Sequence, residues 1–278
     1  MAVAEATAFA GAALVPGMPH LHAAAPAPSW AELAAATRAA GESIRAARPD
    51  ALVMLSTQWF TVLGHQLQLD PNPRGTRVDE NWYAYDYGEL RYDLRVDVEL
   101  TERWAQEIEA EGLQARRTRY DDFPIDTGVV VAQPLLDPDG ELPLALVSCN
   151  LYAAAEDLAG IAAAALRAAE ATGRRVAFVA VSGLSSALTQ RWIAPEEDAI
   201  GAAGNERWDR RVLDLLAAGR LDDVLALREQ YAREASVDSQ LRALAFLAGT
   251  GCLDGPADVL AYGPVWGTGA AVIHWRSP

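Results

Sequence analysis

Cysteine, histidine and basic charge are all scarce in this chain. Its two cysteines, Cys149 and Cys252, lie far apart with no metal-ligand spacing between them, which fits a reduced, cytoplasmic protein. Lysine and arginine together number 23 against 38 acidic residues, giving a formal charge of −15 and a pI near 4.6. Such a balance argues against a nucleic-acid partner or an anionic membrane surface, since neither would attract it. No apolar run approaches the roughly eighteen residues that a bilayer span requires. The opening stretch MAVAEATAFAGAALVPG has no positive n-region and carries Glu5, so it reads as an arm leading into a first strand rather than a secretory signal. Internal repeats, low-complexity linkers and blocks of like charge are absent as well. What remains is a chain of 278 residues, 51% hydrophobic, able to bury a large core as one compact domain over 1–278.

The most informative stretch is Ala51–Phe60, ALVMLSTQWF, where five apolar residues run unbroken before the polarity changes at Ser56-Thr57-Gln58. A short continuous apolar run after a helical segment predicts a strand buried on both faces, in a sheet covered by helices. Phe9–Val15, Leu142–Ser148 and Arg175–Val181 read as further buried strands, and HQLQLD after Gly64 as a half-buried one. Ser29 and Glu32 fit a capping box for a helix whose apolar face is Leu33, Thr37, Ala40 and Ile44. Leu100, Trp104 and Ile108 mark a second helix, and Ala155–Thr172, closed by Gly173, a third. The C-terminal third reads as helices from a cap at Asn205, over Leu221–Glu234 and over Val237–Leu247. Two strands, Val259–Tyr262 and Ala270–Trp275, then flank a Gly-rich turn. The predicted fold class is α/β, a central and mostly buried sheet wrapped by helices. In such sheets ligands bind at the carboxyl ends of the strands, which places Gln58 and Trp59 at a pocket.

Several motifs invite chemistry. His20 and His22 form a His-x-His pair after the first strand, a metal-ligand pairing that is weak on its own. Asp121, Asp122 and Asp126 suggest a cation loop but lack the glycine and glutamate positions of an EF-hand. Gly183-Leu184-Ser185-Ser186 lacks the second glycine of a nucleophile elbow and has no nearby histidine as base. Gly263–Gly269 has neither dinucleotide-binding spacing nor a following helix. The aromatic and acidic stretch Asp79–Tyr87, continuing to Tyr92, fits a pocket wall, an interface, or rings packed against the surface.

Taken in order, LVPGMPH, RPDALVMLSTQW, VDENWYAYDYGELRYD, YDDFPIDTG, NLY, VSGLSS, ERWDRR and YGPVWGTGAAV resemble the class III extradiol ring-cleavage dioxygenases over nearly the whole chain, in particular the α subunits of aminophenol-type members. The resemblance implies a central sheet wrapped by helices. Active members hold one ferrous iron by two histidines and a glutamate. His20 matches the first ligand, Gln58 stands where a His-Trp pair supplies the second, and Gln240 or Asp238 falls near the glutamate. Thr127 replaces the histidine of an Asp-His-Gly motif, and Ser186 replaces the acid/base histidine of Gly-Leu-Ser-His. Neither Thr nor Ser titrates near neutral pH. His20, Gln58, Thr127, Ser186 and Gln240 are therefore expected to line a remnant pocket, with no metal and no catalytic residue in this chain. The implied partner is a homologous, iron-bearing β subunit, with Fe(II) and an aromatic small molecule in the complex. Two alternatives stay open: a self-sufficient metalloenzyme using His20, His22 and Asp238, and an α/β protein whose pocket holds an aromatic ligand.

Overall fold

The computed structural model describes residues 8–77, 89–119, 124–187 and 192–277. Most of VDENWYAYDYGELRYD and the start of YDDFPIDTG lie outside them, and with these most of the aromatic segment Trp82–Tyr92. The first strand, β1 (Phe9–Val15), leads through a 3-10 turn at Pro19–His22 into α1 (Pro28–Ala46). β2 (Ala51–Thr61), β3 (His65–Gln68), β4 (Arg74–Arg77) and β5 (Leu90–Asp93) follow, then α2 (Val98–Ala110) and β6 (Ala115–Thr118). The middle of the chain holds α3 (Thr127–Leu136), β7 (Leu144–Asn150), α4 (Ala155–Thr172) and β8 (Val176–Val181). α5 (Ala203–Ala217), α6 (Leu221–Ala235) and α7 (Arg242–Ala248) precede the closing pair β9 (Asp258–Val265) and β10 (Thr268–Arg276).

Eight strands form one sheet in the order β6-β3-β7-β2-β8-β1-β10-β9, while β4 and β5 pair apart from it as an antiparallel hairpin. The centre, β7-β2-β8-β1, is parallel, and β10 returns antiparallel against β1. These central strands read as unbroken apolar runs because both faces are covered. Alternate side chains of β2 divide between two cores. Val53 and Leu55 pack with Leu100, Trp104, Ile161 and Phe246 of α2, α4 and α7. Leu52 and Met54 face the other way, toward Trp30, Leu33 and Ile44 of α1 and Val129 to Val131 of α3. The buried-sheet prediction holds, and β1 has the limits expected of it.

Three local readings change, at Ser29, at Asn205 and over the stretch from Val237. Ser29 does not cap α1, which begins at Pro28; its hydroxyl donates instead to the Pro264 carbonyl at 2.9 Å, tying α1 to β9. Asn205 lies inside α5 rather than at its cap, and its amide reaches Ser186 O. The apolar run Val129-Val130-Val131 is helical, because Asp126 accepts from Val129 N at 3.1 Å and caps α3. The stretch from Val237 is not one helix. Ser239, Gln240 and Leu241 have φ of 46°, 54° and 59°, a left-handed turn that right-handed helix cannot begin from until Arg242.

Candidate functional site

The carboxyl ends of β1 and β8 open on one side of the sheet, beside the last turns of β2. Between them lies a cavity of about 220 Å³ lined by Gly17, Met18, Gln58, Ser186, Asp238 and Thr268, among others. The sheet order explains its position. β1 and β2 both pair with β8, so their ends diverge around it and leave a crevice where side chains from distant parts of the chain meet.

A Cβ on Gly17 would stand 2.5 Å from Val181 Cγ1 and 2.6 Å from Gly128 Cα, so only glycine lets the loop after β1 rest on α3. Gln58, bracing this contact, donates from Nε2 to the Gly17 carbonyl at 2.9 Å. One amide N–H is thereby used on the chain itself. Behind it, Ser56 donates to Asp126 Oδ1 at 2.6 Å, and burial pushes the Asp126 carboxyl above the usual range.

The carboxylate in the cavity wall is Asp238. Its Oδ2 accepts from Thr57 Oγ1 at 2.7 Å, Gly183 N at 2.9 Å and Ser182 Oγ at 3.0 Å, while Oδ1 accepts from Ser239 Oγ at 3.0 Å. Four donors hold this side chain in one orientation and occupy most of its lone pairs. Gln240, two residues on, is exposed and lines a separate outer groove instead. The left-handed turn is the reason, since it swings Asp238 inward and Gln240 outward. Of the two positions considered for the family carboxylate, Asp238 is the one at the cavity.

His20 stands next to the cavity but not in its lining. It is buried between Trp30, at 4.7 Å in an edge-on arrangement, and Trp266, at 5.6 Å. Asp198 fixes these walls, accepting from Trp30 Nε1 and Trp266 N at 2.7 Å each and from Gly267 N at 2.8 Å. Burial lowers the His20 pKa to about 4, so the imidazole is neutral near pH 7. His22 bonds the Val131 carbonyl at 3.0 Å and is anchored to α3. Thr127 is outside the lining too, accepting from Arg77 Nε at 3.1 Å. The cavity thus gathers Gln58 and Ser186 from the expected set, with Asp238, and leaves His20 and Thr127 outside its lining and Gln240 on the separate outer groove.

A second buried carboxylate supports the floor. Asp209 of α5 is fully buried and accepts from Ser185 N at 3.1 Å, Ser185 Oγ at 2.8 Å and Tyr262 OH at 2.8 Å, with a further short bond from Tyr231 OH. Burial and this carboxylate push both tyrosine hydroxyls above the usual phenol range. A Cβ on Gly269 would come 1.9 Å from Asp209 Oδ2, so glycine at this position, near the start of β10, is what clears the carboxylate. The sequence reading passed over Asp209 and Asp198. The signal for the first was present in ERWDRR, where Asp209 sits on the same helix face as Val212 and Leu216 and is therefore directed to the core.

Iron held by two histidines and a carboxylate requires three such side chains converging within bonding distance. Among the described residues no group of three His, Cys, Asp or Glu side chains does so. His20, His22 and Asp238, the altered ligand set considered from the sequence, therefore form no such group. The donors at the cavity do not fit that centre, since Gln58 offers a neutral amide in place of an imidazole and Asp238 a carboxylate already accepting from hydroxyl and backbone N–H donors.

Architecture and pocket together define an α/β protein with a crevice at the carboxyl ends of parallel strands. Residues 12–272 match the family described as the catalytic LigB subunit of aromatic ring-opening dioxygenase, and the chain belongs to that family. It is 35% identical to the 2-aminophenol 1,6-dioxygenase alpha subunit of a Pseudomonas species over 94% of this chain and 97% of that one. It is also 28% identical to the beta subunit of 2-aminophenol 1,6-dioxygenase from Pseudomonas, over 89% of this chain and 84% of the relative. The crystal structure of the uncharacterized protein JW3007 from Escherichia coli K12 superposes with a TM-score of 0.69 at 14% identity, covering 95% of this chain and 99% of that one, which shows the shared fold. No described helix is long and apolar enough to cross a membrane.

Proposed function

We propose that this chain is the non-catalytic, iron-free α subunit of an aminophenol-type extradiol ring-cleaving dioxygenase. It pairs with a homologous β subunit that carries the Fe(II) and performs the chemistry. The observation that carries the reading is the state of the cavity's polar groups. Gln58 presents a neutral amide tied through Nε2 to Gly17 O, and Asp238 Oδ2 already accepts from three donors, which supports a site not built to hold a metal. Similarity to both subunits of one two-subunit enzyme supports a hetero-oligomer of homologous chains. The cavity's size and its Pro16, Met18, Val265 and Ala270 walls suit a single aromatic ring, so a small aromatic molecule is the ligand class to expect there.

Two measurements test this. After anaerobic loading with ferrous iron and desalting, elemental analysis of the purified chain should give well under one iron per chain, whereas one tightly held iron would overturn the proposal. Co-expression with a β homologue should yield a complex with ring-cleaving activity that neither chain shows alone to the same degree. A chain that stays monomeric beside the β homologue and leaves its activity unchanged would favour the small-molecule-binding alternative.

A further inference from the structure

On the outer side of the turn that carries Asp238 lies an open groove of about 620 Å³, lined by Arg228, Arg233, Arg242, Ser236, Ser239 and Gln240 among others. Three guanidiniums face it against the single carboxylate of Glu229, in a chain whose overall charge is −15. The chain has no lysine, so each of its 23 basic side chains presents the planar fork that matches carboxylate and phosphate oxygens.

Arg242 is the unusual member. It is only 7% exposed, yet among the described residues no carboxylate comes within 4.0 Å of it. Nε donates to the Ala153 carbonyl at 2.8 Å and Nη1 to the Ser239 carbonyl at 3.0 Å, which leaves Nη2 without a hydrogen-bond partner among the described residues. Two carbonyl dipoles offset part of the cost of burying a cation, but a full counter-charge is missing. Arg228 stands alongside, donating from Nη1 to Gln240 O at 3.2 Å, and it too lacks a carboxylate partner among the described residues. Arg233 has only a 3.7 Å pairing to Glu229, both ends exposed, which holds it weakly.

We infer that this groove is a binding site for a small oxyanion, a phosphate or carboxylate group, seated on Arg242 and Arg228 with Arg233 closing from the rim. The inference is independent of the subunit reading. Ser239 and Gln240 belong to the same left-handed turn as Asp238, so the anion would brace from outside the segment that forms the cavity wall inside.

Isothermal titration of the full-length chain, alone or in whatever complex it co-purifies with, tests the site with inorganic phosphate and with succinate against potassium chloride of matched ionic strength. A single saturable site per chain is expected, weakened about ten-fold or more in the Arg228→Gln/Arg233→Gln variant, whose side chains are not part of the core. Arg242→Lys, which keeps the charge and loses the fork, should weaken it as well; if that variant fails to fold, the double variant decides. Tighter binding of phosphate assigns the site to a phosphoryl group and tighter binding of succinate to a carboxylate. Heats no larger than those of chloride, or a double variant that binds as tightly as the wild type, would overturn the inference.

Discussion

Lowering the pH should destabilise this protein sooner than its carboxylates alone would, because burial holds each of its four histidines below the usual imidazole range. His20 and His65 are each 3% exposed, and burial brings both from 6.5 to about 4. In the unfolded chain these rings take up protons as pH falls below 6.5, whereas in the folded one they do not until about 4. The unfolded state therefore binds more protons through that window, and stability falls as pH falls. At about pH 5.5 each histidine costs about 1.4 kcal/mol relative to about pH 7.5, or about 3 kcal/mol for the pair. Against a total stability of about 5–15 kcal/mol, that is a large share. Asp126 works in the opposite direction, since its raised carboxyl favours the folded state as it protonates. Urea unfolding at the two pH values and constant ionic strength measures the net effect. His65→Gln should reduce the difference by about 1.4 kcal/mol, because glutamine keeps polar atoms near the ring positions without titrating. A wild-type profile that is flat, or that rises on acidification, would refute the burial argument.

Three further perturbations follow from the packing. Gly269→Ala places a Cβ 1.9 Å from Asp209 Oδ2, so the carboxylate must leave some of its donors; a loss of about 3 kcal/mol or more is expected in the urea midpoint. Phe178→Ala, in the centre of β8 and fully buried, should cost about 3–5 kcal/mol by the same measurement. Asp198→Ala removes the acceptor that serves Trp30 Nε1 and two backbone N–H groups, which predicts roughly 2–4 kcal/mol of destabilisation and a red-shifted tryptophan emission.

The sheet was legible in the sequence because a strand covered on both faces has no polar alternation to disguise it. β1, β2, β7 and β8 each announce themselves as apolar runs with a turn residue at the end. The short strands were less so. β4, RGTR, and β6, ARRT, are pairing segments with mostly exposed side chains, so hydrophobic periodicity carries no trace of them. At the site, the crevice could be placed from topology and Gln58 and Ser186 from the polarity change at strand ends. His20 and Gln240 could not, because their directions depend on tertiary features, an aromatic slot clamped by Asp198 and a left-handed turn. Nothing in Ser239-Gln240-Leu241 marks it as left-handed, since such turns favour glycine or asparagine and none is present.

That turn also says where variation would improve the chain. Three consecutive L-residues with positive φ each carry a backbone penalty of order 1 kcal/mol, which glycine would not bear. Ser239 also spends its hydroxyl on Asp238, and Leu241 is buried, so both repay the strain with contacts that a glycine would forfeit. Gln240 is exposed, and the bond it accepts from Arg228 uses its backbone carbonyl, which every residue has. Within this turn, position 240 is therefore the one where a change to glycine or asparagine gains stability without losing a side-chain contact, and a library selected for thermal resistance should enrich those residues there while leaving 239 and 241 untouched.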